Sequence, residues 1–351
     1  MRPRPSMRAS RGFLRVLALA ALAGVQVWSA GLQAPAQAPA APGAQQTPQV
    51  GRVRRQVVLV NVVFSVLDRK NRFVTDLGRE DFEVFEDGIP QHIEFFNRET
   101  NLPLRIGLLM DTSNSIRSRL EFEQNAAFDF LYRVLQRGRD LAFVMTFDSA
   151  PEVQQDYTDD IEALRSTIFR QRAGGGTALY DAIYEASLRL MNPPPAPDNQ
   201  DVRRVLVVIS DGLDNLSQHT RSEALEMAER AGVVIYPIST SVDWVAVDQR
   251  TPEGLPLKLH LTEGDEVLQQ FADESGGRPF FPYHVSDLEQ AFAAIGTELR
   301  SQYAIAYTPA THQDDGKYHR IEIQVLRKGL SVRARRGYWA ERLRMVPAPS
   351  S

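Results

Sequence analysis

From Leu104 to Arg300 short apolar runs alternate with amphipathic stretches, and few architectures accept that pattern. The runs "RIGLLM", "LAFVMTF", "RVLVVIS", "GVVIYPI" and "RPFFPY" read as strands covered on both faces, the kind found in parallel sheets. Helices are expected between them, starting near Ile116, Asp160, Ala178, Ser222, Asp265 and Asp287. Thr220 with Glu223 and Ser286 with Glu289 form capping-box patterns, and Leu288, Phe292, Ile295 and Leu299 give the last helix one apolar stripe. Such alternation predicts an α/β fold with a doubly wound, mostly parallel sheet.

Both flanks read differently. Val57 to Leu67 is apolar and β-branched, and "DFEVFEDGIPQHIEFF" reads as two short strands around an Asp87-Gly88 turn. After Arg300 come "QYAIAYTP", "YHRIEIQVL" and "LSVRARRGYWA", again strand-like. Neither flank is large enough to bury a core alone, so the economical solution pairs them into one small β-sandwich with the α/β domain inserted between them. In the last run Val332 and Ala334 alternate with Arg333 and Arg335, which predicts arginines facing solvent. The expected organisation is therefore a signal peptide over 1–30, a linker over 31–51 rich in Ala, Pro and Gln, sandwich strands over 52–102, the α/β domain over 103–300, further sandwich strands over 301–342 and a tail over 343–351.

The signal-peptide reading rests on Arg2, Arg4, Arg8, Arg11 and Arg15 followed by an apolar stretch, Val16 to Trp28, too short for a comfortable membrane span. No later run is apolar for long enough to cross a bilayer, which predicts a periplasmic or secreted protein unless the signal is retained as an anchor. Net charge is −4, and −9 once those five arginines are set aside, which argues against nucleic acid as a partner. The chain has no cysteine, so export brings neither disulfides nor thiol chemistry.

Three loops are expected at the carboxyl ends of the parallel strands, the edge where such sheets bind ligands. They are "DTSNS", "GGGTALYDAI" and the end of "VVISDGLDN". Together they offer Asp111, Ser113, Ser115, Thr177 and Asp211: two carboxylates and three hydroxyls, with no sulfur and no imidazole. Hard oxygen donors of that number suit Mg2+, with Mn2+ or Ca2+ as alternatives, and not zinc or copper. Asp214 is an alternative to Asp211, and Asp148 stands at the same edge. The chain lacks a G-x-S-x-G elbow, a Walker loop and a G-x-G-x-x-G motif.

At these residues the chain resembles the von Willebrand factor A (VWA) domain and its metal-ion-dependent adhesion site, a D-x-S-x-S element followed by a threonine and then an aspartate. Asp111, Ser113 and Ser115 match the first element, and Thr177 and Asp211 match the others in order. The resemblance implies that Ser113 and Ser115 hold the ion directly and that Thr177, Asp111 and Asp211 do so directly or through water. It also implies one coordination position left for a carboxylate from a partner. "LGREDFEVFEDGIPQHIEFF", "GGGTALYDAIYEAS" and "LRSQYAIAYTP" further resemble the VWA-related proteins of acidobacterial genomes.

The function expected is a cation-dependent protein-interaction or adhesion module, exported and not an enzyme, whose protein ligand presents a carboxylate. A metal-dependent hydrolase and an assembly factor of a cell-envelope complex are the competing readings. The first lacks a candidate base, because no His or Glu falls in the three loops. The insertion "SVDWVAVDQRTPEGLPLKLH" leaves a strand at the same edge, and its Trp244 is expected either to contact a partner or to fold back over the sheet edge; "NPPPAPDNQ" is expected at the opposite edge.

Overall fold

In β1 (Val60–Asp68) Val60, Val62, Phe64 and Val66 are buried on one face; on the other Asn61 is exposed and Val63 half-buried, while Ser65 and Leu67 are buried as well. A one-turn 3₁₀ helix then leads into β2 (Phe82–Glu86), β3 (Ile89–Gln91) and β4 (Ile93–Glu99). Asp87 and Gly88 join β2 to β3 with φ of 50° and 81°, the pair of left-handed residues that a tight two-residue hairpin needs. The sequence predicted two strands here. The structure has three, because the chain crosses to the opposite sheet after His92 and β4 pairs there with a later strand.

The computed structural model describes residues 59–99, 102–197, 201–241, 261–282, 285–311 and 315–340, which belong to one unit, Arg55–Ser351. The expected signal peptide, linker, Trp244 loop and tail lie outside the described residues. Among the described residues no helix is long and apolar enough to cross a membrane.

All eight residues of β5 (Leu104–Asp111) are buried, as befits the middle of a covered sheet. In chain order there follow α1 (Leu120–Val134), β6 (Leu141–Phe147), β7 (Pro151–Thr158), α2 (Ile161–Arg170) and α3 (Leu179–Met191). Next come β8 (Arg203–Ser210), α4 (Arg221–Ala231), β9 (Val234–Ser239), α5 (Glu263–Ser275) and α6 (Val285–Glu298). The sheet order is β7-β6-β5-β8-β9, with β6, β5, β8 and β9 parallel and β7 antiparallel to β6. The doubly wound α/β expectation holds. Thr220 and Glu223 cap α4 reciprocally as expected, and Thr262 and Asp265 cap α5 in the same way; the Ser286 and Glu289 side chains lie outside the described ones.

Two expectations are corrected. Over its described residues, 278–282, "RPFFPY" is not a strand: only Phe280 among them bridges, to Ile238. β7 was not expected, because a partly exposed edge strand reading "PEVQQDYT" lacks the apolar run that marks its buried neighbours. At the amino end of β5 the buried Arg105 guanidinium donates to the carbonyls of Pro194 and Pro195, each at 2.8 Å, and so fastens the proline-rich connection at that edge.

The flanks do share one core. β10 (Gln302–Tyr307), β11 (Tyr318–Val325), β12 (Leu330–Ala334) and β13 (Gly337–Trp339) complete two four-stranded sheets, β12-β1-β10-β4 and β13-β11-β2-β3. Between them Phe64 packs on Phe82 and Tyr303 at ring separations of 5.1 and 5.5 Å. The Tyr303 hydroxyl donates to Val74 O and accepts from Leu77 N, both at 3.0 Å.

Arg333 and Arg335 do not simply face solvent. Arg333 reaches the fully buried carboxylate of Glu298 at the end of α6, 3.2 Å away, and Arg335 donates to Asn61 O at 2.8 Å. Alternation assigns residues to two faces of β12 correctly, but the outer face abuts the α/β layer instead of water. Leaving one partner of a buried pair alone is costly. Arg333→Leu is expected to destabilise the protein by about 3 kcal/mol, and Arg333→Leu/Glu298→Leu to recover most of it, measured by urea denaturation; additive losses would show the pair is not coupled.

Candidate metal centre

β5 delivers Asp111 to the carboxyl edge of the sheet with no exposed surface. Its two oxygens are already oriented: Oδ1 accepts from Ser113 N and Oδ2 from the Ser210 hydroxyl, both at 2.8 Å. Ser210 ends β8 immediately before Asp211, and its own oxygen accepts from Gly212 N at 3.1 Å. The Ser113 and Ser115 hydroxyls lie 2.8 Å apart. Ser113 is buried and Ser115 exposed, so the centre opens to solvent on the Ser115 side.

Backbone hydrogen bonds tie the three loops together. Gly174 N donates to Thr112 O at 2.7 Å and Asn114 N to Gly175 O at 3.2 Å, joining the first loop to the second. Thr177 N donates to Asn215 Oδ1 and Asn215 N to Thr177 O, both at 2.9 Å, joining the second to the third. Thr177 stands one residue before the α3 cap, Ala178. Asp211 Oδ1 accepts from Leu213 N at 3.1 Å. The loop that follows presses on α5, where a Cβ added at Gly212 would lie 2.1 Å from Gly264 O. Asp214 is engaged elsewhere, accepting from Tyr180 N at 3.2 Å and the Ser217 hydroxyl at 2.5 Å. The carboxylate of Asp148 accepts from its neighbour Ser149 N, while its carbonyl holds Ala178 N at 2.8 Å.

Burial lifts the Asp111 pKa from 3.8 to about 6; the hydrogen bonds from Ser113 and Ser210 oppose the rise and the Asp211 charge adds to it. A second carboxyl, unsuspected from sequence, lies nearby. Glu123 on α1 has no exposed surface, neither of its oxygens has a hydrogen-bond partner, and burial followed by the Asp111 charge pushes its pKa well up. Thr240, just past β9, donates its N–H to Ser210 O at 3.0 Å, and its hydroxyl is also unpartnered. Ser210 and Glu123 are the residues that sequence reasoning missed.

The donor set fits a small hard cation. Octahedral Mg2+ with oxygens at about 2.1 Å places neighbouring ligands roughly 2.9 Å apart, and the Ser113 and Ser115 hydroxyls are spaced at 2.8 Å. Among the described residues no three Asp, Glu, His or Cys side chains converge on one point, so an ion here depends on hydroxyls as well as carboxylates. A cation also resolves the electrostatic conflict of carboxyls buried near one another.

Residues 106–213 match the von Willebrand factor type A domain, a segment that contains all five expected ligands. No curated protein matches the chain. Among solved structures, the von Willebrand factor type A protein of Catenulispora acidiphila is 12% identical with a TM-score of 0.42, over 81% of this chain and 74% of that one. An aerotolerance-related membrane protein of Bacteroides fragilis is 19% identical with a TM-score of 0.42, over 56% of this chain and 98% of that one. The mussel byssus proximal thread matrix protein 1, in a form with a zinc-occupied MIDAS motif, is 16% identical with a TM-score of 0.40, over 62% and 50%.

A raised carboxyl pKa stabilises the folded chain below the unfolded value and loses that contribution as pH rises through the folded one. For metal-free protein, Asp111 therefore withdraws on the order of 2–3 kcal/mol between pH 4 and pH 6.5. Asp111→Asn lacks this titration. Its melting temperature relative to wild type, measured in chelator, is expected to climb across that window and then level off; a flat difference would show that Asp111 is not perturbed.

Proposed function

We propose that the von Willebrand factor type A domain of this chain is an exported protein-interaction module that works through a divalent cation held by Asp111, Ser113, Ser115, Thr177 and Asp211. Domains of this type mediate protein interactions, and the observation that carries the cation reading is a fully buried Asp111 beside two hydroxyls 2.8 Å apart. Mg2+ is the ion proposed, with Mn2+ and Ca2+ as alternatives. When bound, it supplies an electrophilic position for a carboxylate oxygen on a partner protein.

The residues of the chain prepare for that event. Ser113 N and Ser210 fix the Asp111 oxygens, so little reorganisation remains when the ion arrives. The reciprocal Thr177–Asn215 bonds keep the second and third loops in register. Ser115 and Asn114 are exposed and mark the side from which a partner approaches. The binding reading is preferred to a hydrolase because the three loops carry neither His nor Glu, and Glu123 is too deeply buried to touch a substrate. Export rests on the five arginines and the apolar Val16–Trp28 stretch, and the finer likeness to acidobacterial VWA-related proteins on the motifs in both flanks.

Magnesium at a hundred times its dissociation constant adds about 2.7 kcal/mol, and for a domain near 200 residues each kcal/mol raises the melting temperature by roughly 2–4 °C. The expected result is a rise of several degrees in wild type and none in Asp111→Ala. A cell-envelope pull-down in magnesium is expected to recover a protein that chelator or Asp111→Ala releases. Equal stabilisation of both proteins, or capture indifferent to chelator, would overturn the reading.

A further inference from the structure

Glu123 is hard to explain as a structural residue. It sits in the first turns of α1 with no exposed surface, and neither oxygen has a hydrogen-bond partner. A buried carboxyl without a partner costs several kcal/mol relative to an apolar side chain of its size. Its surroundings make the cost larger. The charges that act on it are Asp111 at the end of β5 and Asp211 after β8, both of the same sign, against Arg119 at the start of α1. Thr240, beyond β9, turns its hydroxyl towards the carboxyl and opposes the rise in its pKa, but no hydrogen bond of normal geometry joins the two. Thr240 N donates to Ser210 O and the Ser210 hydroxyl to Asp111, so two hydrogen bonds connect the Thr240 backbone to the centre.

One change reverses this balance: a positive charge among Asp111, Ser113, Ser115, Thr177 and Asp211. We propose that Glu123 is an outer carboxylate of the cation site, which stabilises the ion by its charge and, together with Thr240, holds a water molecule on the ion's buried side. The inference rests on the cation reading of the centre given above. Its chemistry is that of groups beyond the direct ligands, which orient them and balance charge without occupying a coordination position. Because Glu123 takes no position on the ion, the solvent side stays open for a partner.

The test is titration calorimetry with Mn2+ and with Mg2+ on the full chain. Glu123→Gln keeps shape and hydrogen-bonding capacity and removes the charge. It is expected to bind either ion 10- to 100-fold more weakly than wild type, with a metal-free melting temperature equal to or above that of wild type. Thr240→Val is expected to weaken binding by a smaller factor, and the double variant to bind no more weakly than Glu123→Gln, because both groups serve one water. An affinity within twofold of wild type in a folded Glu123→Gln would overturn the proposal and leave the five-residue centre standing. Should Glu123→Gln not fold, Thr240→Val decides, unchanged affinity overturning the proposal. Absence of binding in wild type, with no thermal shift, would overturn the cation reading itself and this inference with it.

Discussion

A carboxylate with no exposed surface, at the tip of the central strand of a sheet, is the constraint around which the carboxyl edge is built. Asp111 cannot be left unpaired there, so the chain turns at once to offer Ser113 N, and the neighbouring strand ends on Ser210 to offer a hydroxyl. Fixing Ser210 also fixes Asp211, the next residue, and Gly212 N closes back on the Ser210 oxygen. From there Asn215 grips Thr177, and Gly174 and Asn114 close the circuit between the first two loops. Three loops distant in sequence thus become one rigid rim through ordinary satisfaction of buried polar groups.

The sandwich depends on the same layer. Chain leaving α6 enters β10, an inner strand of its sheet that pairs with β1 on one side and β4 on the other, so neither flank is complete without the other. Glu298, the last residue of α6, is fully buried and takes Arg333 from β12 as its partner. α6 in turn packs on α1 through Phe292 and Phe130, whose rings are 5.5 Å apart, and α1 carries Glu123. Two consecutive packing contacts therefore separate the candidate centre from the sandwich core.

How much of this was legible follows from burial. β5, β6, β8 and β9 announce themselves because a strand covered on both faces must be apolar at every position, and their ends place Asp111 and Asp211 where ligands bind. No residue of β7 is fully buried and its Val153 is exposed, so its sequence carries no such run. "RPFFPY" has the composition of a strand, yet among its described residues only Phe280 finds a strand partner. The order of Asp111, Ser113, Ser115, Thr177 and Asp211 was readable because those residue types recur in a known arrangement. Glu123 was not. In "LEFEQNAAF" Glu121 and Glu123 flank Phe122, and a charged residue on an amphipathic helix is ordinarily solvated. Arg333 and Arg335 misled for a related reason, since strand periodicity separates two faces without saying that the second is covered by another layer.

On the proposed reading, in which the centre holds a cation and meets a carboxylate of a partner, the distribution of charge across it serves both needs. Glu123 and Asp111 are fully buried, Ser113 and Thr177 nearly so, Asp211 is half-buried and Ser115 is exposed. Negative charge is thus concentrated at the rear, where low polarity makes each carboxylate act strongly on an ion. Neutral hydroxyls predominate towards the front. On that reading a carboxylate arriving from solvent would meet the exposed Ser115 and the ion before the buried carboxylates, and the ion's charge would screen the repulsion. On the same reading, moving these charges forward into water would hold the ion less strongly and repel the partner, whereas removing them would leave the ion too weakly held to recruit one. Burial of Asp111, which lifts its pKa in the metal-free chain, is the arrangement that would satisfy both demands of the proposed site.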